Sequence, residues 1–210
     1  MDLARMPVPM QARPHESRVR RRLVAAAGLA PLLAAGPLPA AQEAIRPLDL
    51  QLGPGAQAQR PQRAAERLLG QQAPGFSFPS VGNGQRVALA DFRGRPVLIT
   101  FMGSWCGFCI SETPALVEAD RRHGERIAFV SIGVRERDGG QALRQYAQRF
   151  ALRFPVLLGD DAIMESYRVQ GTPMGFLVGT DGRILEVTFG RREPAQLERS
   201  LQRALRFARG

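Results

Sequence analysis

The sequence predicts an α/β domain: a mixed central sheet with helices on both faces, opened by a short β-hairpin. Three observations carry that reading. Val97 to Met102 and Ile127 to Val134 are continuous apolar runs rich in branched residues, the pattern of strands buried on both faces. Segments of helical periodicity alternate with these strands, which implies a largely parallel sheet. Near the end, Phe176 to Val178 and Ile184 to Phe189 flank Gly179-Thr180-Asp181-Gly182 as a hairpin, and this makes the sheet mixed.

The elements follow in order. Residues 1–41 read as a signal peptide. Arg18, Arg20, Arg21 and Arg22 precede an Ala/Leu-rich stretch from Leu23 to Ala40. Gly28, Pro31, Gly36, Pro37 and Pro39 make that stretch a poor spanning helix. Arg20-Arg21-Arg22-Leu23-Val24 fits a twin-arginine pattern, with cleavage expected near Ala40 or Ala41. Residues 42–72 are rich in Ala, Gln, Pro and Gly and read as a flexible linker. Within them, Ala64 to Leu69 have the composition of a helical turn or two.

The folded domain is expected over residues 73–210. Phe76, Phe78 and Val81 suggest an extended segment, Gly82-Asn83-Gly84 a turn, and Arg86 to Leu89 the returning strand. After the strand Val97 to Met102, a helix is expected to run to about His123 with Pro114 inside it. Ala142 to Leu152 places Leu143, Tyr146, Ala147 and Phe150 on one helical face. Phe154 to Leu158 is a third strand and Ala162 to Tyr167 a short helix. Leu197, Leu201, Ala204, Leu205 and Ala208 mark a closing amphipathic helix.

Charge narrows the function. The net charge is +10, and all 29 basic residues are arginine. Residues 1–41 hold six Arg against Asp2 and Glu16. Elsewhere acids are interleaved among the arginines, without the basic stripe and stacking aromatics that nucleic acid requires. No nucleic acid partner is expected, and membrane contact only through an uncleaved signal segment. The only cysteines are Cys106 and Cys109. A structural zinc site needs about four ligands, and His123 is the one histidine beyond residue 41. No metal is therefore expected.

Cys106 falls just after a buried strand, at the start of a helix. Free N–H groups and the partial positive charge there stabilise a thiolate. Cys109 lies one turn later, within reach of a disulfide. Cys106 is the expected nucleophile and Cys109 the resolving thiol. Trp105 offers an apolar wall beside them. No separate cofactor is expected; the Cys106–Cys109 disulfide carries the electrons.

Trp105-Cys106-Gly107-Phe108-Cys109 after the strand Val97 to Met102, with Gly171-Thr172-Pro173 before the strand Phe176 to Val178, resembles the thioredoxin superfamily. Ala73 to Ala208 is similar to its exported TlpA-like branch, which includes the thiol reductases of cytochrome c maturation. Ala73-Pro74-Gly75-Phe76 and Leu89-Ala90-Asp91-Phe92-Arg93-Gly94 resemble an opening shared with the peroxiredoxins and the AhpC/TSA-redoxin-like domain. The resemblance implies a thioredoxin-like fold and a protein-disulfide oxidoreductase. It implies that Pro173 is a cis-proline that faces the disulfide and offers backbone for pairing with a substrate chain, that Thr172 and Trp105 join it in substrate binding, that Thr172 tunes the thiolate, and that Glu112 assists proton transfer from the resolving thiol. It also implies protein thiol or disulfide substrates, a membrane thiol electron donor and a periplasmic or otherwise exported location.

Two departures leave points open. Gly107-Phe108 is not the Gly-Pro of cytoplasmic thioredoxins, and this pair influences redox potential, so the direction of electron flow is not fixed. Met174-Gly175 replaces more polar residues after the proline, and no Asp occupies the buried strand, where Ile99 and Thr100 stand. Two other functions fit the residues less well. A peroxidase of peroxiredoxin type needs Thr or Ser three residues before the nucleophile and Pro four before that; Gly103 and Ile99 hold those positions. A redox-inert binding domain or metal carrier is expected to have lost a cysteine, and both are present.

Overall fold

The computed structural model describes residues 63–208. The expected signal peptide, and residues 42–62 of the expected linker, lie outside the described residues.

The strands open with a two-stranded hairpin, β1 (Ser77–Pro79) and β2 (Arg86–Ala88), paired antiparallel. A 3₁₀ turn follows at Leu89–Phe92, where the Asp91 carboxylate accepts from the Ala88 N–H at 2.8 Å. This turn takes Leu89, which the sequence reading placed at the end of β2. Then come β3 (Val97–Met102), α1 (Gly107–His123), β4 (Ala128–Gly133), α2 (Gln141–Arg149), β5 (Val156–Leu158), α3 (Asp161–Ser166), β6 (Met174–Val178), β7 (Ile184–Phe189) and α4 (Pro194–Phe207). The main sheet has the order β5-β4-β3-β6-β7. Strands β3, β4 and β5 are parallel, and β6 and β7 add antiparallel. The expected mixed sheet is therefore present.

Alternation along β3 divides the core. Val97, Ile99 and Phe101 face one side with Val130, Ile132, Met174, Phe176 and Tyr167. Phe101, Phe176 and Tyr167 form a trio with centroid separations of 4.8 to 5.7 Å, and the Tyr167 hydroxyl donates to the Pro74 carbonyl at 2.7 Å. Leu98 faces the other side, with Leu116, Phe129, Leu197 and Leu201 beneath α1 and α4. Each such fully buried side chain contributes about 1.5–3 kcal/mol relative to exposure. Met102 continues this face into a smaller cluster holding Cys106, Cys109, Leu143 and Tyr146. His123, buried at the end of α1, meets Glu198 of α4 at 3.1 Å and ties the two helices together.

Both sheet edges are covered, as exposed edges require. Beside β5, the Val81 N–H donates to the Val156 carbonyl at 2.8 Å. Beside β7, the segment before β1 docks: the Gly70 N–H reaches Ile184 O at 2.8 Å, and the Ile184 N–H reaches Gln71 O at 2.9 Å. Residues 63–66 are helical, and Ala65 is fully buried in the core. Residues 63–72, read from composition as the end of a linker, thus pack on the domain. The reason is that Ala65 and Leu68 find an apolar seat, a tertiary gain that composition does not show.

Candidate active site

Helix α1 begins at the cysteines. Cys106 is its N-cap, and the Cys109 N–H donates to Cys106 Sγ at 3.2 Å. No acidic residue stands in the first turn, while Arg121, Arg122 and His123 occupy the last. No acid of the helix's own first turn therefore opposes the dipole at Cys106, and the far end is complemented. Cys106 and Cys109 form a disulfide with a Cα–Cα separation of 5.2 Å. Pro114 sits inside the helix. Nearby, the Thr113 hydroxyl donates to the Cys109 carbonyl at 2.8 Å, and the Tyr146 hydroxyl oxygen lies 3.4 Å from the same carbonyl. These two hydroxyls also bond to each other.

The sulfurs are recessed and their flanks are not. Cys106 is 6% and Cys109 2% exposed, whereas Trp105 is 56% and Phe108 68% exposed. The Trp105 ring folds back over Gly103, where an added Cβ would lie 2.6 Å from the indole. Ser104 is fixed from the opposite side, donating its N–H and its hydroxyl to the two oxygens of Glu136, each at 2.7 Å.

The Thr172–Pro173 peptide is cis, as the resemblance implied. It brings the Thr172 carbonyl oxygen to 3.5 Å from Cys106 Sγ. Beyond it, the Pro173 carbonyl accepts from the Gly190 N–H at 2.9 Å. Trp105, Cys106, Cys109, Thr172 and Pro173, all named from sequence, thus meet at one end of the sheet.

Glu112 is 1% exposed, buried behind the cysteines and not on the helix surface. Its Oε1 accepts from the Arg192 N–H at 2.9 Å and from Arg192 Nε at 2.6 Å. Arg192 is itself 4% exposed, and its Nη2 donates to Thr100 Oγ1 at 3.0 Å. Gly175 makes room for this guanidinium, since a Cβ there would lie 2.6 Å from Arg192 Nη1. Oε2 of Glu112 is buried without a hydrogen-bond partner. Burial holds the Tyr146 hydroxyl above the ordinary phenol range; the Thr113 bond opposes this and the negative charge of Glu112 adds to it.

Arg192, Thr113, Tyr146 and Glu136 were missed from sequence. Thr100 carried a signal, being the one polar residue in β3. Among the described residues, no group of three or more His, Cys, Asp or Glu is placed to hold a metal ion.

Comparison with known proteins gives the family. Residues 69–187 match the AhpC/TSA family. The thioredoxin-like protein YneN of Bacillus subtilis is 28% identical over 133 residues, spanning 63% of this chain and 78% of that one. The thiol-disulfide oxidoreductase ResA of Bacillus thuringiensis is 28% identical over 137 residues, 64% of this chain and 78% of its own. Among solved structures, a thiol:disulfide interchange protein of the thioredoxin family from Chlorobium tepidum superposes with a TM-score of 0.59 at 25% identity, covering 64% of this chain and 95% of that one. With a CxxC pair closed at a helix start in a thioredoxin-like fold, the chain is a thiol–disulfide oxidoreductase and belongs to the AhpC/TSA family.

Proposed function

We propose that the chain works as an exported protein-disulfide reductase in which Cys106 attacks and Cys109 resolves. The observation that carries this is Cys106 Sγ at the α1 N-cap, held by the Cys109 N–H and flanked by the carbonyl before a cis-proline. In the dithiol form the helix start stabilises a Cys106 thiolate. That thiolate attacks one sulfur of a partner disulfide; the other partner sulfur leaves as a thiolate, and a mixed disulfide forms. Glu112 takes the proton from Cys109. Cys109 then attacks Cys106 Sγ, closing the intramolecular disulfide and releasing the second partner thiol. The exposed aromatic rings of Trp105 and Phe108 beside the sulfurs, with the Thr172–Pro173 backbone, form the substrate contact.

The arginine-led apolar segment in residues 1–41 supports export to the periplasm or its equivalent, where disulfides form and persist. Among the described residues no helix is long and apolar enough to cross a membrane. A membrane thiol carrier re-reduces the Cys106–Cys109 disulfide, and disulfides of exported proteins, those of cytochrome c maturation included, are the substrates. The position three residues before Cys106 is Gly103, under the Trp105 ring, which offers peroxide no hydroxyl.

Insulin reduction tests the assignment of roles. Cys109→Ala is expected to stop turnover and accumulate a covalent adduct with an insulin chain through Cys106. Cys106→Ala is expected to give neither turnover nor adduct. An adduct formed by the Cys106→Ala protein, or full turnover without Cys109, contradicts the roles.

A further inference from the structure

We propose that Arg192 is a positioning residue for the proton acceptor Glu112, pinning one carboxylate oxygen and leaving the other free for Cys109. This rests on the reading that Glu112 receives the Cys109 proton, and it adds a residue that the motif does not contain.

The hydrogen bonds divide the two oxygens of Glu112 unequally. Both Arg192 bonds, from the backbone N–H and from Nε, fall on Oε1. Oε2 is buried and has no partner. An orphan buried acceptor is costly, and at a reactive site it marks a group waiting for a donor. Glu112 stands three residues after Cys109, on the same side of α1. Its charge is felt at Tyr146, whose hydroxyl lies 3.4 Å from the Cys109 carbonyl. Arg192, from the segment between β7 and α4, is its ion-pair partner, Tyr146 from α2 feels its charge, and Cys109 precedes it on α1. Strand β3 contributes the neutral Thr100.

Arginine stays charged even when buried. Its seat is built for it: Thr100 Oγ1 accepts from Nη2 at 3.0 Å, and the absent side chain of Gly175 leaves space at Nη1. Buried ion pairs are weak stabilisers compared with apolar residues of equal volume, so stability alone does not account for placing one here. The proton on Cys109 Sγ passes to Oε2. The Cys109 sulfur then forms its bond to Cys106 Sγ as the bond from Cys106 to the partner sulfur breaks. The partner leaves as a thiolate and takes a proton from solvent.

The resolving step can be timed alone. Reduced protein is mixed with the aryl disulfide dithiobis-nitrobenzoate: the first thionitrobenzoate released reports attack by Cys106, and the second reports attack by Cys109. The rate of the second phase is followed across pH. Glu112→Gln is expected to slow it about tenfold at neutral pH, corresponding to a rise of about one unit in the midpoint for Cys109. Arg192→Met is expected to give a similar loss, Arg192→Lys a partial recovery, and Thr100→Val a smaller loss in the same direction. A wild-type profile in Arg192→Met alongside a slowed Glu112→Gln overturns the role of Arg192 and leaves Glu112 as the base. A wild-type profile in Glu112→Gln overturns both. If Arg192→Met does not unfold cooperatively, Thr100→Val and Gly175→Ala decide, and unchanged profiles in both overturn the proposal.

Discussion

Arg192 reaches across 80 positions of sequence to place its backbone N–H and its Nε on a single oxygen of Glu112. Both side chains are almost wholly buried. The pair links the β7–α4 connection to the helix that carries the cysteines, and Thr100 anchors it to the central strand.

Breaking that pair on one side strands a buried charge. Arg192→Met alone is expected to lower stability by about 3–5 kcal/mol in urea unfolding. Combining it with Glu112→Leu is expected to recover most of that loss, because two apolar side chains then fill the space. A single variant within about 0.5 kcal/mol of wild type, the range of ordinary surface changes, contradicts the geometry.

Gly175 tests the same slot by filling it. A Cβ there meets Thr188 Oγ1 at 2.5 Å and Arg192 Nη1 at 2.6 Å. Gly175→Ala is expected to cost about 1–3 kcal/mol as an overpacked site. An unchanged unfolding midpoint means that the guanidinium does not occupy this space.

Much of this domain can be read from its sequence because the physics is local. The strand Val97–Met102 matches its apolar run residue for residue. The reactive pair is legible because a buried strand, a Trp, a CxxC and a helix start are contiguous. The cis bond before Pro173 came from resemblance alone. What could not be read depends on contacts distant in sequence. Arg191 and Arg192 are adjacent and chemically identical, yet Arg191 pairs with Glu193 at the surface while Arg192 turns inward. Composition assigned residues 63–72 to a linker, because a Gln- and Arg-rich segment gives no sign that Ala65 has a buried seat waiting.

The thiols should differ in reactivity. At the helix N-cap, Cys106 is expected to alkylate with a pH midpoint below the free-thiol value of about 8.5. Buried Cys109 should alkylate mainly after unfolding. Mass mapping of iodoacetamide adducts across pH checks both, and equal labelling of the two, or a Cys106 midpoint near 8.5, contradicts the assignment.

Tyr167 sets an alkaline limit. Burial holds its phenol well above the ordinary value, so the folded protein keeps a proton that the unfolded chain releases. The stability linked to this group is whole below the unfolded value of about 10 and is lost as pH rises beyond it. Tyr167→Phe removes the bond to Pro74, costing about 1 kcal/mol at neutral pH. Its stability should then fall less steeply than wild type above pH of about 10. Parallel curves in that range contradict this.

Trp105 is the only tryptophan in the chain and adjoins Cys106. Its emission is expected to rise on reduction of the disulfide, which quenches a neighbouring indole. With its ring 56% exposed, Trp105→Ala should change stability by less than about 1 kcal/mol while slowing insulin reduction. An emission indifferent to the redox state places the ring away from the sulfurs.

The direction of electron flow is the central matter, and Gly107-Phe108 left it open in the sequence. Equilibrating the Cys106–Cys109 couple against glutathione buffers, with Trp105 emission as the readout, measures it. A reductase is expected to settle near the thioredoxin potential of about −270 mV, and a value near about −120 mV, that of a strong oxidant, contradicts the assignment.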